Sequence, residues 1–120
     1  MPVFEHSKRL NKIKGNLGEE IASNFLKKNK YKILERNYKN KIGEIDIIAE
    51  KNGVIVFVEV KERETLAFGR PCEAVDERKQ NKIRRTAEVY LMSKRKNWVD
   101  VRFDVIEILG DEINQIENAF

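Results

Sequence analysis

At 120 residues the chain suffices for one domain, spanning 1–120, and is too short for two. Hydrophobic residues at 41% argue against a disordered segment and predict a packed core. Charged residues reach 37%, but 24 Lys+Arg against 20 Asp+Glu leave a net charge of only +4, an excess that suits a polyanion partner without requiring one. No stretch has the ~18 consecutive apolar residues of a membrane span. The opening MPVFEHSKRLNK lacks the apolar core of a signal peptide, so the expected location is cytoplasmic, with no membrane partner.

Residues of about 7–29 read as a first helix, with Ser7 as N-cap and Leu10, Ile13, Leu17, Ile21 and Phe25 as an apolar stripe. Gly15 and Gly18 fall inside it, each lowering helix propensity by roughly 1 kcal/mol relative to Ala, which suggests close backbone packing or a break. Tyr31 to Tyr38 reads as a strand. Gly43 to Lys51 and Val54 to Lys61 read as two more, joined by Asn52-Gly53, the strongest short-range hairpin signal. Residues 63–72 form a polar loop. It holds the single cysteine, Cys72, whose ordinary reading is a structural thiol, since an intrachain disulfide needs two. The single histidine, His6, lies in a polar stretch and argues against both a Cys-His nucleophile and a zinc site. Residues of about 75–96 read as a second helix with Ile83, Ala87, Tyr90 and Leu91 on one face. Val99 to Leu109 reads as a further strand, with a short one at 112–118. The order α-β-β-β-α-β predicts an α/β fold, a mixed sheet flanked by helices.

A two-residue turn at Asn52-Gly53 sets the hairpin register: Ile48 faces Phe57, Asp46 faces Glu59 and Glu44 faces Lys61. Ile45, Ile47, Ala49, Val54, Val56, Val58 and Val60 then form an apolar face that must be core. On the other face two carboxylates stand directly opposite each other, about 5 Å apart at Cβ, an arrangement that costs stability unless something compensates. A hard divalent cation compensates well, since Mg²⁺ is commonly held by one or two carboxylates with water and a phosphate. Lys61 lies one step beyond Glu59 and can orient a water or offset developing negative charge. Glu44 with Lys61 also reads as an ordinary cross-strand ion pair, worth little.

These residues carry a resemblance. GEIDIIA at 43–49 followed by FVEVKER at 57–63 resembles the D-x(n)-E-x-K signature of the restriction-endonuclease-like superfamily. Together with GNLGEEIASNFLKKNKYKILERNY at 15–38, AVDERKQNKIRRTAEVYL at 74–91 and RFDVIEI at 102–108, it resembles the small bacterial family called YraN-like, which is similar to archaeal Holliday junction resolvases. The resemblance implies a restriction-endonuclease-like core and a metal-dependent nuclease acting on DNA, branched or junction DNA included. Its cofactor would be Mg²⁺ or Mn²⁺, and a homodimer would place two sites on a junction. Asp46 and Glu59 match the metal carboxylates, with the Val60 carbonyl as a third ligand, and Lys61 the catalytic lysine. Glu19 matches a helix-borne acid that completes the site; by spacing alone Glu19 and Glu20 are not distinguishable.

Basic residues gather on the second helix, and Lys79, Lys82, Arg84 and Arg85 there, with Arg63 and Arg70 from the loop, are the expected phosphate contacts. The same cations also fit a solvated helix face. The rival reading is a non-catalytic nucleic-acid-binding or adaptor module that keeps the fold.

Overall fold

The computed structural model describes residues 17–63, 75–96 and 98–120. Expectations for residues 7–16, for His6, and for Arg70 and Cys72 in the 63–72 loop lie outside the described residues, as does the side chain of Arg63. The elements are helix α1 (17–28), strands β1 (Lys32–Lys39), β2 (Glu44–Lys51) and β3 (Val54–Arg63), helix α2 (Glu77–Ser93), and strands β4 (Asp100–Leu109) and β5 (Glu112–Ile116). This is the α-β-β-β-α-β order of a restriction-endonuclease-like core, with β5 appended. The strands lie in the sheet in chain order, and only β3–β4 is parallel, so α2 is carried on the crossover between them.

Local chemistry explains the boundaries. Asn52 and Gly53 both take positive φ (52° and 81°), the conformation a two-residue hairpin turn demands. Asp76 caps α2, its carboxylate accepting from the Lys79 amide at 2.9 Å. At the end of α1, Lys30 adopts φ 73° and the Tyr31 amide returns to the Leu26 carbonyl at 3.0 Å, which stops the helix.

Each helix covers one face of the sheet. On one side Ile83, Ala87, Tyr90 and Leu91 of α2 pack on Ile48, Ile55, Phe57 and Val105. On the other, Ala22 and Leu26 of α1 pack on Ile47, Ala49, Val56, Val58 and Ile106. The α1 stripe is rotated from the expected one: Leu17 is 54% exposed, Ile21 and Phe25 are only partly buried, and the seam runs through Ala22, Ser23 and Leu26. Small side chains at 22 and 23 let the helix lie close to the sheet.

A second correction concerns β2. Ile45 belongs to the α2 side, in one cluster with Ile48 and Phe57, and not to the face of Ile47 and Ala49. The neighbouring strand turns with it. Arg36 reaches Glu20 of α1, whereas Tyr38, two residues on, stacks edge-on against Tyr90 of α2 with ring centroids 5.1 Å apart. Between them Asn37 takes φ 54°, a conformation Asn tolerates better than most residues. Strict alternation therefore fails over two residues in both strands, and Asp46 sits at that point.

Candidate metal and phosphodiester site

The β2–β3 ladder runs from Lys51↔Val54 to Ile47↔Val58 in the expected register and then ends. Asp46 and Glu59 thus come together without being a ladder pair. The Asp46 carboxylate instead accepts the Val60 amide at 2.8 Å through Oδ2, a side chain taking over where the ladder stops. Burial first, and the Glu59 charge second, push the Asp46 carboxyl up to about 7, against the Val60 hydrogen bond that lowers it. The charge of Glu19 adds to the rise.

Glu59 is only 6% exposed on the α2 side of β3. Two ammonium groups hold it: Lys79 Nζ at 3.0 Å and Lys61 Nζ at 3.7 Å from Oε2. Burial, with Lys79 alongside, pushes Lys61 below its ordinary range. For Lys79 burial also works against the charge, but hydrogen bonds to Lys61 and Glu59 outweigh it and the group is raised. Lys61 is the lysine held away from water on the strand; Lys79 reaches in from α2 and is the more exposed of the two.

α1 separates the two glutamates that spacing left equivalent. Glu20 points to the surface and bonds Arg36 at 2.7 Å, which holds its carboxyl below the usual range. Glu19 turns inward; its Oε2 is buried with no hydrogen-bond partner among the described residues. Glu44 is a correction: it pairs with Lys39 of β1 at 3.6 Å and not with Lys61.

Among the described residues no group of three Asp, Glu, His or Cys side chains forms a metal cage. The site offers a carboxylate pair, Asp46 and Glu59, with the orphaned oxygen of Glu19 acting at longer range. A half-buried and a buried acid in mutual repulsion, beside an unsatisfied buried carboxylate oxygen, fit a hard divalent cation such as Mg²⁺ or Mn²⁺, which needs only one or two protein carboxylates. Val60 is tied to the pair by its amide.

The basic residues divide. Lys79 and Lys82 line a cleft of about 650 Å³ between α2 and residues 39–44, and Lys82 and Arg85 line a second, of about 520 Å³. Arg84 lies elsewhere, its guanidinium over the rings of Phe103 and Phe120 at 5.2 and 5.6 Å. Arg78, the first residue of the basic cluster on the second helix, lines both clefts, with Lys82 and Arg85 on the same helical face; sequence reasoning missed Lys39 and Lys41 as lining residues. It also missed Asp104, fully buried, which accepts from Arg102 at 2.9 Å, Gln115 at 2.8 Å and the Asn118 amide at 3.1 Å, tying down the chain after β5. No helix among the described residues is long and apolar enough to cross a membrane.

Comparison with known proteins places these residues in a family. Residues 18–108, which include Glu19, Asp46, Glu59, Lys61 and Lys79, match the model described as Uncharacterised protein family UPF0102. The chain is 53% identical over 104 residues to a UPF0102 protein of Fusobacterium nucleatum, covering 87% of each chain. It is 50% identical over 112 residues to one of Clostridioides difficile, covering 92% of this chain and 98% of that one. A UPF0102 protein of Persephonella marina is 46% identical over 108 residues, covering 90% and 93%. With a match across strands β1 to β4 and both helices, and relatives at this level over most of their length, the chain belongs to the UPF0102, or YraN-like, family.

Proposed function

We propose that this chain is a metal-dependent phosphodiester hydrolase acting on DNA, branched or junction DNA included. The observation that carries the reading is the half-buried Asp46 set against the buried Glu59, with the Lys61 ammonium 3.7 Å from Glu59. Asp46, Glu59 and the inward-turned Glu19 are the groups that would hold Mg²⁺ or Mn²⁺, with the Val60 carbonyl as a further oxygen. Such an ion, when bound, supplies polarisation of a phosphoryl oxygen and a lowered pKa for water. Lys61 donates hydrogen bonds to the attacking water or to the charge growing on the phosphate oxygens. Asp46 has one carboxylate oxygen committed to the Val60 amide, which fixes its orientation and leaves the other for the site.

A nuclease assay with Mg²⁺ and with Mn²⁺ on single-stranded, duplex, flapped and four-way-junction DNA tests the reading. Lys61→Ala should abolish cutting and leave DNA binding intact. Loss of both together would move Lys61 from chemistry to binding, and no cutting of any substrate with either ion would sink the hydrolase reading. One observation favours a second reading, a binding or adaptor module without catalysis: Lys79 already neutralises Glu59 at 3.0 Å, so the acid pair is partly compensated within the chain. Binding without cleavage in the same assay is its signature.

A further inference from the structure

The two clefts beside α2 share Arg78 and Lys82 and so adjoin along the helix. One wall is α2, presenting Arg78, Lys82 and Arg85; the other is the turn between β1 and β2, presenting Lys39 and Lys41. That turn is pinned. Asn40 Oδ1 accepts from the amides of Ile42 (2.9 Å) and Gly43 (3.3 Å), while its Nδ2 donates to the Thr86 carbonyl of α2 at 3.2 Å. Gly43 permits the approach: a Cβ there would stand 2.9 Å from Thr86 Oγ1 and 3.2 Å from Lys82 Cε. The walls are thus set before any ligand arrives.

The charge is one-sided. Of the acids lining the clefts, Glu44 is paired with Lys39 and Asp76 is occupied as the cap of α2. Lys41, Arg78, Lys82 and Arg85 have no ion-pair partner among the described residues. No described aromatic side chain lines either cleft, so nothing there stacks on a base. Lys79 lines the larger of the two clefts and also bonds Glu59 at 3.0 Å, so this one side chain links the cleft to the carboxylate pair.

We propose that the phosphodiester backbone of one nucleic-acid strand lies in this cleft, held by Lys41, Arg78, Lys82 and Arg85 without regard to base sequence, and is delivered past Lys79 to Asp46 and Glu59. The delivery rests on the hydrolase reading; the binding does not. From Arg78 to Arg85 the helix rises about 10 Å at 1.5 Å per residue. A row of that length spans more than one phosphate of the strand. Cations contacting phosphates in register release counterions, which makes affinity fall steeply with salt.

The test is fluorescence anisotropy of a labelled mixed-sequence DNA oligonucleotide in EDTA over a series of KCl concentrations, so that no cutting intervenes. Lys41→Gln, Arg78→Gln, Lys82→Gln and Arg85→Gln keep most of each stem and remove its charge. Each should weaken binding about twofold to tenfold, the equivalent of one net hydrogen bond. Each should also reduce the log-log salt slope by about one. Lys28→Gln on α1 and Lys94→Gln past the end of α2 should change neither, and a scrambled sequence should bind alike. Melting curves identify any variant that fails to fold, and the exposed Lys41 keeps the test independent of helix packing. Equal weakening by the two control variants, or an unchanged slope in the cleft variants, overturns the proposal. So does wild-type binding to phosphatidylserine vesicles with none to the oligonucleotide. Cutting that persists with unaltered binding in the cleft variants would overturn the cleft and leave the carboxylate site standing. Cleft-dependent binding by a wild type that never cuts would do the reverse.

Discussion

Replacing Asp46 by Asn separates the repulsion at the site from everything else the side chain does. The amide keeps the shape, its oxygen still accepts from the Val60 amide, and its NH₂ donates to Glu59 in place of a second negative charge. In the wild type, burial and Glu59 raise Asp46 from 3.8 to about 7. Because the folded value lies above the unfolded one, the folded state binds the extra proton between those two pH values. The associated stability is fully present below about pH 4 and is lost as pH rises through about 7. At 1.36 kcal/mol per pH unit that interval sets a ceiling of about 4 kcal/mol, which corresponds to roughly 15 °C of melting temperature for a domain of this size. Metal-free wild type should therefore lose melting temperature between pH 5 and pH 8 relative to Asp46→Asn, and the variant should be the more stable protein at pH 8. Thermal melts in EDTA across that range read the difference directly. Parallel pH profiles, or an Asp46→Asn protein less stable at pH 8, would refute the reasoning, because a solvated aspartate makes no such distinction.

Three further outcomes follow from the same geometry. Mn²⁺ or Mg²⁺ should raise the wild-type melting point, by the equivalent of about 2.7 kcal/mol at one hundred times the dissociation constant, and Asp46→Asn and Glu59→Gln should each remove most of that gain. Lys79→Met takes the 3.0 Å partner from a buried Glu59; urea unfolding in EDTA should show a loss of about 1–2 kcal/mol, moderated because the lysine is partly exposed, and Mn²⁺ should recover it. Asp104→Ala strands Arg102 and the Asn118 amide and should cost about 3–5 kcal/mol in urea, with faster hydrogen exchange over residues 117–120.

Local signals carried most of the architecture. Asn52-Gly53 specified the hairpin because these two residue types readily take the paired left-handed conformation of a type I′ turn, and the register it implies holds as far as Ile47. Helical periodicity found the buried side of α2, whose Ile83, Ala87, Tyr90 and Leu91 all pack. What failed was the extrapolation of strict alternation past Ile47. The turnover at Asn37 and Asp46 arises from two strands moving together, and neither strand's own pattern records it. The α1 stripe shifted for a related reason: Ile21 and Phe25 pack at the edge of the core, while Ala22 and Ser23, small enough to lie against the sheet, are the fully buried positions. The juxtaposition of Asp46 and Glu59 was legible from the hairpin. The contact of Lys79 with Glu59 was not, because it spans the β3–α2 connection and depends on where the crossover lays the helix. Asp104 reads as an ordinary charged strand residue until Arg102, Gln115 and Asn118 are brought to it.

The chain-order sheet has another consequence, at its borders. Its outer strands are β1 and β5, and both are poor templates for a further strand. β1 has Lys32, Arg36 and Lys39 exposed, is broken by a register shift between Ile33 and Glu35, and carries the left-handed Asn37. β5 is only five residues long, with Glu112 and Asn114 exposed. Charge, irregularity and brevity are the devices by which sheets resist edge-to-edge growth. Two copies of this chain are accordingly disfavoured from joining into one continuous sheet, and the aggregation hazard that an open five-stranded sheet would otherwise carry is blunted at both ends.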